Sequence, residues 1–323
     1  MPKKALIFGV TGQDGSYLAE FLLGKGYSVV GVARDTKSPR NIGGIRDRII
    51  LEPFEADSRS FVESMLERHS PDEVYNLAAQ SHVGESWERL SETVEACAVL
   101  PARIIESIHR LGGGIKFFQA SSGALFGGGM RTAQNETAPA NPGDPYSLAK
   151  YLPHRLVKMF RVRYGYFFCS GILYNHESPR RPESFVSRKI TKAAARIKLG
   201  KQSELRMGNL NSVRDWGYAP DYVKGMWMMM QSEAPDDYIL STGKGHTVLE
   251  FAQAAFHLAG LELEDHLVVD EKLVRPNDGI MVGDPTKIEK ALGWKAETPF
   301  EEMIKKMVDA DIELELRNQD GED

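Results

Sequence analysis

Cysteine is nearly absent: Cys97 and Cys169 are the only two among 323 residues. They stand far apart and match neither a disulfide framework nor a metal-ligand spacing, so a reducing cytoplasm is the expected setting. Long apolar runs are missing too. None approaches the roughly 18 residues a membrane span requires. The run Ala5 to Val10, behind the basic start Met1-Pro-Lys-Lys, stops at Thr11-Gly12, too short for a signal-peptide core. Positive charge is not in excess either. Lys+Arg 40 against Asp+Glu 45 leaves a formal net charge of -5, and no basic cluster offers a nucleic-acid surface. An anionic ligand therefore needs a local pocket of cations. His82, His109, His154, His176, His246 and His266 include no i, i+4 pair with a Glu between, so zinc hydrolysis has no support and no metal is expected. All but His176 read as ordinary surface or core histidines.

What the chain does have is alternation. Lys4–Gly9 reads as a strand, Ser16–Lys25 as a helix and Ser28–Arg34 as a strand. Asp57–His69 reads as helix, Glu73–Ala78 as strand, Glu92–Leu111 as helix, Ile115–Ala120 as strand, Tyr146–Arg163 as helix and Tyr166–Leu173 as strand. Parallel strands need crossover helices, so the pattern predicts an α/β fold: a Rossmann-type, doubly wound parallel sheet. From about Asn175 the regularity breaks into polar, Arg-rich loops. They predict a smaller carboxyl-terminal α/β cap that binds substrate over the sheet's carboxyl edge. The expected division is 1–174 for the sheet domain, with about 209–242 returning to it, and 175–323 mainly for the cap. Met226-Trp-Met-Met-Met230 reads as a packed helix side, Gly112–Gly114 and Gly127–Gly129 as loops, and the acidic tail Glu313–Asp323 as frayed.

Gly9-Val-Thr-Gly12-Gln-Asp-Gly15 follows the first strand and opens the first helix. Glycines let the backbone turn and approach a pyrophosphate, while the helix amino end supplies N–H groups and positive dipole. Gly9, Thr11, Gly12, Gln13, Asp14 and Gly15 are thus expected at a dinucleotide. The G-x-x-G-x-x-G spacing resembles that of the extended short-chain dehydrogenase/reductases. At the end of the second strand, Ala33 occupies the place where NAD sites hold an acid, and Arg34 follows. That favours NADP, with Asp35 as a competing ribose contact that keeps NAD open. Asp57 is expected either at the adenine or as a helix cap.

Tyr146-Ser-Leu-Ala-Lys150 puts a phenol and an ammonium on one helix face. A tyrosine titrates near 10, so a general base at neutral pH needs a cation to lower it. Ser122, at the end of the strand carrying Ser121-Ser122, is expected to hold the reacting oxygen with Tyr146. These parts support hydride transfer between a nicotinamide and a carbinol.

Longer strings resemble one branch, the GDP-mannose 4,6-dehydratases: Thr11-Gly-Gln-Asp-Gly-Ser-Tyr-Leu18, Tyr75-Asn-Leu-Ala-Ala-Gln-Ser-His-Val83, Asn175-His-Glu-Ser-Pro-Arg-Arg181, Phe185-Val-Ser-Arg-Lys-Ile190, Gly208-Asn-Leu and Arg214-Asp-Trp-Gly217. The resemblance implies a GDP-sugar substrate, with Asn175, Arg181, Lys189, Arg214 and Arg275 on its diphosphate, guanine and ribose. Arginine forks and a lysine suit a diphosphate. It further implies Leu77, Ala78 and Ala79 at the cofactor, and Ser81, Glu85, Ser86, Glu177 and Gly208 around the substrate, Ser86 touching the hexose. The loop Thr36–Arg46, with Arg40 and Arg46, would reach a neighbouring subunit, implying a homodimer or homotetramer.

One departure stands out. The family carries a threonine, a serine and a glutamate before Leu-Tyr-Gly, whereas this chain reads Ser122-Gly-Ala124-Leu-Phe-Gly127. In the family NADP takes the hydride from C4, and the glutamate removes the C5 proton and helps expel the C6 hydroxyl before the hydride returns to C6. Ala124 cannot do this, and losing a positioned acid–base costs about 10²–10⁴ in rate. Three readings follow. Another carboxylate replaces it, Glu85 first, then Glu136 or Glu177; or the enzyme performs only C4 redox chemistry, as a 4-keto-sugar reductase or 4-epimerase; or the chain binds GDP-sugar and NADP without turnover.

Overall fold

A computed structural model describes residues 2–37, 41–55, 59–127, 132–273 and 279–320. The chain runs β1 (Lys4–Phe8), α1 (Gln13–Gly24), β2 (Ser28–Ala33), β3 (Ile50–Pro53), α2 (Arg59–His69), β4 (Glu73–Asn76), α3 (Leu90–Val94), α4 (Leu100–Arg110) and β5 (Lys116–Ser122). There follow α5 (Pro145–Tyr164), β6 (Phe168–Leu173), β7 (Asn175–Glu177), α6 (Val186–Lys198), β8 (Leu205–Met207), β9 (Val213–Arg214), β10 (Trp216–Tyr218), α7 (Ala219–Gln231) and β11 (Asp237–Leu240). The last elements are β12 (His246–Thr247), α8 (Val248–Ala259), β13 (Leu267–Val269), α9 (Thr286–Leu292) and α10 (Phe300–Asp320).

Seven strands form one sheet in the order β11-β6-β5-β4-β1-β2-β3, and every pairing in it is parallel. Side chains alternate between its faces. Ala5 and Ile7 join Leu18, Leu22, Met226 and Met230 on the α1/α7 side, while Leu6 and Phe8 join Leu66, Ile104, Ile108 and Val157 on the other. The methionine run of α7 is thus core, and it fills the space between α1 and the sheet. Beyond the sheet, α6, α8 and α10 enclose a separate core around Ala194, Trp216, Phe251, Phe256, Met303 and Met307. Among the described residues no helix is long and apolar enough to cross a membrane.

The segment expected as one helix from Glu92 begins at Leu90 and passes from α3 to α4 through a π-helical turn at Glu95–Val99. The tail expected to fray does not do so within the described residues: α10 stays helical to Asp320. Its stability comes from charge rather than apolar surface. Asp311, fully buried, takes Arg188 Nε at 3.0 Å and the Thr191 hydroxyl at 2.7 Å. One turn on, Glu315 takes Arg196 Nε at 2.8 Å. Composition could not foresee partners supplied by α6, more than a hundred residues upstream.

Chain order places the ligand crevice. From β1 the chain goes one way to β2 and β3 and the other way to β4, β5 and β6. The β1/β4 boundary is therefore the switch point, where the loops leave a gap at the carboxyl edge.

Candidate active site

A cavity of about 1820 Å³ opens at that gap, larger than the ~300–1,000 Å³ that one small ligand occupies. It has room for two nucleotides end to end. Its floor is the first βα turn. Gly9 takes φ +84°, and a Cβ there would lie 2.8 Å from Ala78 N. A Cβ on Gly15 would lie 2.2 Å from Gly9 O, so that glycine serves helix–strand packing. Gly12 caps α1 without a side-chain acceptor, leaving first-turn amides for an anion. Thr11, Gln13 and Asp14 also line the cavity, as do Leu77, Ala78 and Ala79 after β4. Gln13 and Asp14 are already engaged within the protein. Gln13 Nε2 donates to His176 O at 3.0 Å, and the Asp14 carboxylate lies 2.8 Å from His176 Nε2.

Arg34 and Asp35 both line the cavity past β2. Asp35 Oδ1 accepts from Lys37 N at 2.9 Å. Arg89's hydrogen bond, reinforced by the Arg34 charge, holds Glu92 below its ordinary value. Asp57, Arg275 and Arg40 lie outside the described residues; Arg46 sits in a 3-10 turn at Gly43–Arg48.

Ser122, Tyr146 and Lys150 meet on the cavity wall. Asp144 and Ser147 form a reciprocal capping box that fixes the start of α5, so residues 146 and 150 face the end of β5. Lys150 Nζ donates to Ala120 O at 3.0 Å and stands 6.0 Å from the Tyr146 ring. Ser122 Oγ accepts from Ala124 N at 3.2 Å. The expected lowering of the phenol is overturned as a net effect. Burial pushes the Tyr146 phenol above its ordinary value, and Lys150 and the Ser122 hydroxyl offset that only in part. The ammonium is turned toward the β5 backbone rather than onto the phenol.

Ala124 is on the cavity wall as well. Its neighbour Gly123 fits under Tyr174: a Cβ there would come 3.0 Å from the ring. Glu85 reaches the cavity rim, bonded by Arg89 Nη1 at 3.1 Å with His82 Nδ1 at 3.6 Å. The other two carboxylates do not line the cavity. Glu136 accepts from the edge-strand amide of Ile239 at 2.8 Å. Glu177 is buried, accepting from Ser187 Oγ at 2.6 Å and pairing with Arg181 Nε at 3.1 Å. It positions the arginine from behind instead of touching a ligand. Ser86 is a further correction: it is fully buried, with its hydroxyl on Val83 O at 2.7 Å, and does not line the cavity.

Across from the nucleotide turn, the cap presents Asn175, Arg181, Lys189, Gly208 and Arg214, with Ser81 at the end of the β4 loop. Arg181 lies over the Phe185 ring at 3.6 Å. Lys189 Nζ donates to Arg206 O at 2.6 Å, and partial burial pulls its ammonium below the ordinary value. Arg214 donates to Val213 O and Gly279 O, each at 2.9 Å. Of the Arg180-Arg181 pair only the second faces the cavity, because Arg180 bonds Ser16 Oγ at 3.0 Å and lies on Tyr17. Three lining residues escaped sequence reasoning: Ser121, Gln80 and Trp87. Ser121 Oγ and Gln80 Oε1 are buried and have no partner within the protein, the signature of groups awaiting a polar ligand. Only packing reveals it.

A family model described as GDP-mannose 4,6 dehydratase matches residues 6–307. GDP-mannose 4,6 dehydratase 2 of Arabidopsis thaliana is 43% identical over 98% of this chain and 89% of its own length. Two solved structures share the fold. UDP-glucose 4-epimerase of Thermotoga maritima, with UDP-glucose, superposes with a TM-score of 0.85 at 22% identity, covering 96% of this chain and 99% of that one. dTDP-glucose 4,6-dehydratase of Bacillus anthracis, in complex with NAD, gives 0.85 at 18% identity, covering 97% and 98%.

Proposed function

Because the chain belongs to the GDP-mannose 4,6 dehydratase family, we propose that it is an NADP-dependent enzyme acting on a GDP-hexose by hydride transfer at C4, with the dehydration step deprived of its usual base. The observation that carries this is the meeting of Ser122, Tyr146 and Lys150 on a wall where Ala124 stands among them. Tyr146 takes the proton of the C4 hydroxyl, Ser122 holds that oxygen, and Lys150 supplies positive charge near the phenol. The turn Gly9–Gly15 and the uncapped start of α1 suit a pyrophosphate, and Arg34 suits the additional phosphate of NADP. When bound, the nicotinamide supplies the hydride acceptor at C4. Arg181, Lys189, Arg214 and Asn175 line the half of the cavity that suits a diphosphate, and Trp87, 67% exposed at the rim, adds an aromatic face.

The test is incubation with NADP and GDP-mannose deuterated at C4. Deuterium recovered in the dinucleotide with little 6-deoxy-4-keto product supports the reading; deuterium retained at C4 refutes it. A second reading rests on Glu85, the rim carboxylate beside His82. If the wild-type chain forms the 6-deoxy-4-keto sugar robustly and Glu85→Gln abolishes it, the dehydration base has moved to Glu85.

The chain is further read as a cytoplasmic homo-oligomer. Leu148, Leu152, Met159 and Val162 on α5 are 60%, 49%, 58% and 78% exposed. Leu90 and Val94 on the adjoining α3 extend the stripe. Such a face suits a second copy of the chain.

A further inference from the structure

His176 is flanked by two acceptors. Its Nδ1 lies 2.7 Å from Tyr174 O and its Nε2 lies 2.8 Å from Asp14 Oδ2. A carbonyl oxygen and an ionised carboxylate can only accept, so both ring nitrogens carry protons and the buried ring is an imidazolium. The electrostatics agree. Burial raises the Asp14 carboxyl, but His176 outweighs it and holds it below the ordinary value. Burial likewise opposes the charge on His176, yet Asp14 keeps that ring above its ordinary value. The other groups facing the ring are Arg181, whose charge opposes it, and Tyr222 of α7, stacked at 4.7 Å and 19°. From β10 only the Gly217 backbone stands opposite in register.

Asp14 is in the first turn of α1, inside the cavity. An uncompensated carboxylate there would repel a pyrophosphate and cancel the helix dipole that should attract it. We propose that His176 is a positioning residue for the dinucleotide: its imidazolium neutralises Asp14 and keeps the amino end of α1 receptive to a pyrophosphate. The role rests on the dinucleotide reading above, and it differs from direct cofactor contact because the ring acts through Asp14. It also ties that turn to β7, the strand that carries Asn175 to the other half of the cavity.

NADP affinity, measured by calorimetry without sugar, tests it through the pair. His176→Gln keeps a polar side chain but removes the charge and is expected to weaken NADP by about tenfold or more. Adding Asp14→Asn to it should restore affinity to within about threefold of wild type, since the offending charge is gone. A merely structural role predicts no such rescue. Independently of any variant, ¹⁵N shifts of the wild-type histidine at about pH 7.5, a unit above the usual imidazole range, should show both nitrogens protonated. A neutral ring, an affinity within about twofold of wild type for His176→Gln, or a double variant as weak as the single one overturns the proposal. Failure of the wild-type chain to bind NADP overturns the functional reading itself and this role with it.

Discussion

Tyr146 does its work from a buried position in which Lys150 softens, but does not reverse, the effect of burial on the phenol. A phenol raised in this way is mostly protonated at neutral pH, so C4 deuterium transfer is expected to climb as pH rises toward the alkaline range. Lys150→Met removes the largest influence that lowers it. The pH–rate profile of the variant should move further alkaline, with a loss of about 10²–10⁴ at neutral pH; an unchanged profile would show that the ammonium does not tune the phenol. At position 124 the expectation has the opposite sign. Ala124→Glu should increase formation of the 6-deoxy-4-keto sugar by about 10²-fold or more, read by product analysis. No gain would mean that dehydration is limited elsewhere. The Tyr-Lys pair was legible because four residues make one helical turn. Ser86 and Glu177 were misassigned because nothing in a string of letters tells whether a polar side chain points into the cavity or behind it.

At the scale of elements, two helix ends carry measurable stability. The Asp144 carboxylate accepts from Ser147 N at 2.8 Å and fixes the first turn of the helix that bears Tyr146 and Lys150. Asp144→Ala is expected to cost about 1 kcal/mol, seen as a lower urea midpoint. Asp144 also lines the cavity, so Asp144→Asn, which can still cap, serves as the control. In the cap, Asp311→Ala strands the Arg188 guanidinium in the core between α6 and α10. Such a loss should cost about 3–5 kcal/mol, again by denaturant midpoint, and a change below about 1 kcal/mol would show that water reaches the arginine. The strands and helices of the sheet region were readable from alternating and helical periods. The order of α10 was not, because it depends on Arg188 and Arg196 arriving from a distant helix.

For the whole molecule, the exposed apolar stripe on α3 and α5 forecasts association. Leu152→Glu should convert an oligomer into monomers in sedimentation experiments, while a monomeric wild-type chain would remove that forecast. By itself the sequence determined the doubly wound sheet, the glycine turn at its switch point and the approach of Tyr146 to Lys150. Each follows from periodicity or from spacing within one element, which local sterics and hydrogen bonding settle. Only the tertiary structure decided which charges face the cavity and which are spent within the protein. Arg180 parted from Arg181, Glu177 withdrew behind its arginine, and His176 acquired a charge through Asp14. Those outcomes depend on burial and on partners more than a hundred residues away, such as Asp14 for His176, and no local pattern encodes them.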